Sequence, residues 1–145
     1  MTINRRPPGI GLPVALVLTG LLAATSVSPR ADETDAAIRD VILTQIEAFA
    51  NDDELGAWVH ASRGIQKRLR SPEMLLHVVR SAYPPVHRPA SIRFGERIPH
   101  ANFEVQVVRL EGPEGKRWKA YYRMVQKGSE WKVGGVTLEQ AETGI

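Results

Sequence analysis

The apolar residues of this chain change their spacing once, and that change limits the fold more than any single motif does. From residue 38 to residue 82 they recur every three or four positions: Ile38, Val41, Ile42, Ile46 and Phe49, then Leu55, Trp58 and Val59, then Met74, Leu75, Val78, Val79 and Ala82. That spacing places each set on one face of a helix. From residue 92 onward they alternate: Ile92, Phe94 and Ile98 with Arg93 and Arg97, Phe103, Val105 and Val107 with Glu104 and Gln106, and Trp118, Ala120, Tyr122 and Met124 with Arg117, Lys119, Tyr121 and Arg123. Alternation is the period of a strand with one face on a core. The chain is therefore read as α+β, with three N-terminal helices packed on an antiparallel sheet of four or so strands.

Local signals set the boundaries. Thr34 or Asp35 is placed to cap the first helix, and Asn51-Asp52-Asp53 ends it and starts the next. Ser62-Arg63-Gly64 interrupts, and residues 65–69 allow one more helical turn. Ser71-Pro72-Glu73 is a hydroxyl cap followed by proline at the first helical position. Tyr83-Pro84-Pro85 stops that helix, and residues 86–89 are expected to stay extended. Gly112-Pro113-Glu114-Gly115 and Lys127-Gly128-Ser129-Glu130 read as hairpin turns. Apolar parity shifts in the second strand, from Val107 to Val108, and in the last strand, across Gly134-Gly135. A one-residue shift of face is the mark of a β-bulge, so bulges are expected in both strands, with a curved sheet as the result.

Residues 1–31 read as an export signal. Arg5 and Arg6 lead, residues 10–24 are almost wholly apolar, and Ala23, Ala24, Ser26, Ser28 and Ala31 supply small residues near the exit. An apolar run of about 15 residues is short for a membrane span. Cleavage within residues 24–31 is expected, an uncleaved N-terminal anchor being the alternative. Residues 32–145 then form one domain, located in the periplasm or secreted, with no stable membrane span. Loss of residues 1–31 removes Arg5, Arg6 and Arg30 and no acid, leaving 16 basic side chains against 16 acidic. The pI of about 9.5 thus belongs to the precursor, and nucleic acid is not expected as a partner. The chain has no cysteine, which excludes disulfides, thiolate metal sites and thiol catalysis.

The order of helices and strands resembles the nuclear-transport-factor-2-like superfamily, the cystatin-like α+β cone. Residues 46–53, Ile-Glu-Ala-Phe-Ala-Asn-Asp-Asp, look like the end of that fold's first helix. More closely, the chain resembles a family of exported bacterial proteins, domain-of-unknown-function family 4864. The resemblance is carried by Ala61-Ser62-Arg63-Gly64-Ile65, Pro72-Glu73, the run from Val79 to Pro89, Phe94-Gly95-Glu96, and the run from Trp131 to Leu138. Tyr83-Pro84-Pro85-Val86-His87-Arg88-Pro89 is its most specific part. The resemblance implies a fold and an exported location, and it supplies no catalytic residues.

Some cone folds enclose a pocket, and relatives resembling ketosteroid isomerase or scytalone dehydratase use carboxylate, histidine or tyrosine there. Glu96 shares strand parity with Ile92, Phe94 and Ile98 and is expected on the apolar face, where burial raises a carboxyl pKa into the range of an acid or base. In the competing reading it lies near the strand end and reaches solvent or an arginine. Tyr83, His87 and Arg88 sit among prolines that stiffen the backbone. Tyr83 and His87 are candidate catalytic groups, and Arg88 a candidate for an anionic ligand. Alternatively Tyr83 plugs the core, and Arg88 ties the connector to a carboxylate or a helix end. Trp118, Tyr122 and Trp131 either stack on a ligand or fill the core of the sheet. Arg63 with Lys67-Arg68-Leu69-Arg70 is the densest basic cluster, read as a solvated helix surface or as a contact for an acidic partner or phospholipid head groups.

His60, His77, His87 and His100 have no helical pairing at the i,i+4 spacing of a metal motif, so no metal and no cofactor are expected. Three functions are compatible with these residues. The leading one is an exported binding or interaction module for a small molecule or protein. The second is a cofactor-free lyase or isomerase with Glu96, Tyr83 or His87 in its pocket. The third is a homodimer formed through the open sheet face.

Overall fold

A computed structural model describes residues 29–141, together with Gly9 and Gly11. The expected export signal falls largely outside the described residues. Among the described residues, five helices, α1 (Pro29–Ala50), α2 (Glu54–Trp58), α3 (Arg63–Leu69), α4 (Pro72–Ala82) and α5 (Pro84–His87), precede four strands, β1 (Ser91–Pro99), β2 (Glu104–Glu111), β3 (Arg117–Lys127) and β4 (Glu130–Gln140). The strands form one antiparallel sheet in the order β1-β2-β3-β4, so the α+β reading holds.

Helix α1 begins at Pro29, not at the expected cap. The Thr34 hydroxyl donates to the Arg30 carbonyl at 2.9 Å. This is the back-bond of a hydroxyl inside a helix, which removes it from capping duty. Ile38, Ile42, Ile46 and Phe49 are all buried, as their spacing requires. Between them lies a buried glutamine, Gln45, whose amide donates to the Ala57 carbonyl at 3.1 Å and ties α2 to α1. Helix α3 is capped by Ser62, which accepts from Ile65 N, and α4 by Ser71, which accepts from Met74 N at 3.1 Å. Residues 86–89 are not wholly extended. Pro84 and Pro85 occupy the first positions of α5, where a helix needs no N–H donor. The Tyr83 carbonyl accepts from both Val86 N and His87 N.

The sheet carries two irregularities. Arg123 faces Gly135 and Met124 faces Val133, so Gly134 is the extra residue and the expected bulge in β4 is present. The second bulge is not in β2. That strand pairs with β3 in unbroken register from Glu104 to Glu111. The irregularity lies in β1, where Phe94 faces Val108 and Arg97 faces Gln106, leaving Gly95 and Glu96 opposite one residue. Val107 misled the parity reading because it is fully buried while facing away from the helices, in register with Tyr121. Gln106 takes the inner face instead. Its amide donates to the Gly95 and Val107 carbonyls, each at 3.0 Å, and so satisfies backbone that the bulge frees.

Beyond the bulge β1 is turned over. Arg97 faces inward, bonds Asp35 of α1, and lies 3.0 Å from Glu104, while Ile98 is 41% exposed. The helices meet the sheet on a core of Ile38, Ile42, Phe49, Val79, Val108, Leu110, Ala120, Tyr122 and Met124. They also join it by backbone. Ser62 N donates to Val133 O and Val133 N to His60 O, each at 2.8 Å, a parallel bridge at the free edge of β4.

Candidate functional site

Among the described residues, strand β4 has a strand partner on one side only. Past the bridge at Val133 its edge bounds a cleft of about 450 Å³ between the sheet and helices α1, α3, α4 and α5. The helical wall includes Phe49, Ile65, Leu69, Leu75 and Val79, and the strand wall runs from Val133 to Thr137. Its making follows from the sequence. Gly134 is the bulge residue, and an added Cβ at Gly135 would meet no atom within 4 Å. The strand wall therefore has open space at Gly135, where a side chain would otherwise stand. The polar groups on the lining are Gln45, Arg68, Tyr83, Tyr121, Arg123 and Thr137. No carboxylate and no imidazole lines it among the described residues. The Tyr121 hydroxyl is bonded to Glu139 at 3.0 Å, and this contact raises its pKa above the ordinary tyrosine value.

A second feature is a polar corner at the end of α1. Asp52, just past α1, has a left-handed backbone with φ of 53°. Its carboxylate receives Arg80 at 2.8 Å, His87 at 2.9 Å and Arg88 at 3.1 Å. Arg88 Nε also donates to the Ala50 carbonyl at 3.2 Å. The hydrogen bond from Arg80, then that from His87, hold the Asp52 carboxyl down at about 2. A third feature is an apolar groove of about 420 Å³ lined by Pro84, Pro85, Pro113, Trp118 and Leu138.

The expected site residues are thus not gathered in one place. Tyr83 lines the cleft. His87 and Arg88 serve the Asp52 corner, which is the structural role the sequence reading offered as an alternative for Arg88. Trp118 lines the apolar groove. Tyr122 is fully buried, its hydroxyl has no partner, and burial pushes its pKa up. Glu96 is exposed at the β1 bulge and does not project from the apolar face, because the bulge breaks the parity that placed it there. Of the large exposed apolar side chains among the described residues, Leu43, Leu55 and Met74 lie on helices, Val59 closes α2, and Ile98 alone lies on the sheet.

Among the described residues no group of three or more potential ligands is placed to hold a metal ion. Sequence reasoning missed the hub role of Asp52, although an acid directly after a helix whose last turn has no basic residue was visible. It also missed Arg123 as a cleft residue, since strand parity places that side chain on the outer face. The glycine pair opposite was the signal that could have found it.

The fold is shared with a solved structure. A crystal structure of an NTF2-like protein of unknown function from Shewanella baltica OS155 superposes with a TM-score of 0.53 at 12% identity, covering 77% of this chain and 97% of that one. An NTF2-like protein of unknown function from Silicibacter pomeroyi DSS-3 matches with a TM-score of 0.48 at 11% identity, covering 77% and 98%. No curated protein matches this chain. The family model described as "Domain of unknown function (DUF4864)" matches residues 31–144, and the chain belongs to that family.

Proposed function

We propose that this chain is an exported binding module whose working site is the cleft along β4. The single observation that carries this reading is the lining. An apolar cleft of about 450 Å³ with a few polar groups has the size and composition of a small-molecule site, and it lacks the carboxylate or imidazole that acid–base chemistry uses. Tyr83 would orient the ligand. The lyase or isomerase alternative has less support, since of Glu96, Tyr83 and His87 only Tyr83 lines the cleft. Export rests on residues 1–31, whose basic start, apolar run and small-residue exit fit a cleaved signal. Residues 32–145 would then act as one domain in the periplasm or outside the cell. Among the described residues no helix is long and apolar enough to cross a membrane.

The test uses the neutral fluorescent probe N-phenyl-1-naphthylamine with the domain from residue 32. Saturable binding is expected. Gly135→Trp, which adds bulk at an unobstructed position of the cleft wall, should weaken it about tenfold, equivalent to ~1.4 kcal/mol. No saturable binding, or binding indifferent to Gly135→Trp, contradicts the reading.

A further inference from the structure

The charge on the cleft lining is of one sign. Arg68 and Arg123 both line it, and no acid does. Elsewhere the half-buried Arg97 has Asp35 and Glu104, and the exposed Asp52 has three basic partners. Among the described residues, Arg68 and Arg123 pair with no carboxylate.

Each is presented by local structure. Arg68 lies in the last turn of α3, beside Leu69, which also lines the cleft. Arg123 belongs by register to the outer face of β3, directly opposite Gly135. Its guanidinium lies 4.6 Å from the centre of the Phe103 ring, a cation–π contact that helps hold the group in place. One of its terminal nitrogens is 3.3 Å from where a Cβ on Gly134 would stand. A side chain at the bulge would crowd that guanidinium, and glycine leaves it open to the cleft. The bulge thus shapes the strand and also leaves a window onto a positive charge.

Resting on the reading of the cleft as a binding site, we infer that its ligand is an amphipathic anion: a carboxylate whose hydrocarbon body lies on Phe49, Leu69, Val79 and Val136, with its head at Arg68 and Arg123. A carboxylate matches the fork of a guanidinium, while the apolar walls favour a chain over a compact polar ion. The zero balance of acidic and basic groups in residues 32–145 leaves recognition to these local charges rather than to an overall field.

The experiment is displacement of N-phenyl-1-naphthylamine by decanoate and by decan-1-ol, at low and high salt. Arg68→Glu and Arg123→Gln are compared with the unmodified domain. Arg68 is exposed and makes no ion pair among the described residues, so its variant tests charge without risk to the fold. Decanoate should bind roughly tenfold tighter than decan-1-ol at low salt, and salt should narrow that gap. Each variant should reduce decanoate binding about two- to fivefold, the scale of one exposed ion pair, and should narrow the preference for decanoate over decan-1-ol by the same factor. Equal affinity for decanoate and decan-1-ol while the probe still binds overturns the inference and leaves the cleft reading standing. So does a preference for decanoate that neither variant reduces. Failure of the probe itself to bind overturns both.

Discussion

His87 and Asp52 are 35 residues apart in the chain and 2.9 Å apart in space, imidazole Nε2 against carboxylate Oδ1. The same carboxylate holds Arg80 and Arg88, so one acid joins the end of α1 to the end of α4 and to α5. Its position depends on a left-handed backbone at residue 52, which Asp and Asn adopt more readily than most residues. Asp52→Asn therefore removes the charge and keeps the turn. Because the folded-state carboxyl is held at about 2 against an ordinary 3.8, its contribution is complete above the ordinary value and is lost as pH falls towards 2. Thermal unfolding of the two proteins should differ most near pH 7, with the gap closing between about pH 4 and pH 2. The gap will be small, since the carboxylate is 41% exposed and screened by salt. A gap that does not change with pH refutes the role given to this charge.

Gln106 is the polar group that holds the β1 bulge. Replacing it by leucine keeps the volume and leaves the Gly95 carbonyl without its side-chain donor. The expected loss is about 1–3 kcal/mol, the range for a buried group left unbonded. Urea unfolding measures it, and a change below about 0.5 kcal/mol, the scale of an ordinary surface substitution, contradicts the assignment.

Tyr122 gives the opposite sign. Its ring fills the core, but its hydroxyl is buried with no partner. Tyr122→Phe removes an unsatisfied group and nothing else, so stability should rise by up to about 1 kcal/mol. Destabilisation by a similar amount in the same unfolding assay means that the hydroxyl has a partner in solution.

Export predicts a shortened chain. Protein recovered from the periplasm or medium should have an intact mass whose N-terminus falls within residues 25–32. The full-length mass, retained with the membrane, supports the uncleaved anchor instead.

The fold was legible wherever a local rule and the core agreed. The spacing of Ile38, Ile42, Ile46 and Phe49 predicts a buried helix face, and all four are buried. Ser71-Pro72 predicts a helix start, and α4 is capped there. Gly134-Gly135 predicts a bulge, and one lies there. The reading failed where two strands had to be considered together. Val107 is apolar and buried yet faces away from the helices, so parity within β2 suggested a bulge that belongs to β1. The same error displaced Glu96. The site was harder still. Tyr83 reaches the cleft, but Arg123 does so only because glycines stand opposite and next to it across the strand pair, a relation that the sequence of one strand does not contain. Asp52 was hidden for a similar reason, since its partners come from elements that fold back over it.

The central claim is that the cleft along β4 is where this protein binds its ligand. Methyl-resolved NMR of the domain, titrated with N-phenyl-1-naphthylamine, tests it most directly. Shifts should concentrate on the methyls of Ile65, Leu69, Leu75, Val79 and Val136, which line the cleft. The exposed methyls of Leu55, Val59 and Ile98 should stay unmoved. Shifts confined to that exposed set, or to Leu138 in the groove beside Trp118, would place binding elsewhere and contradict the account.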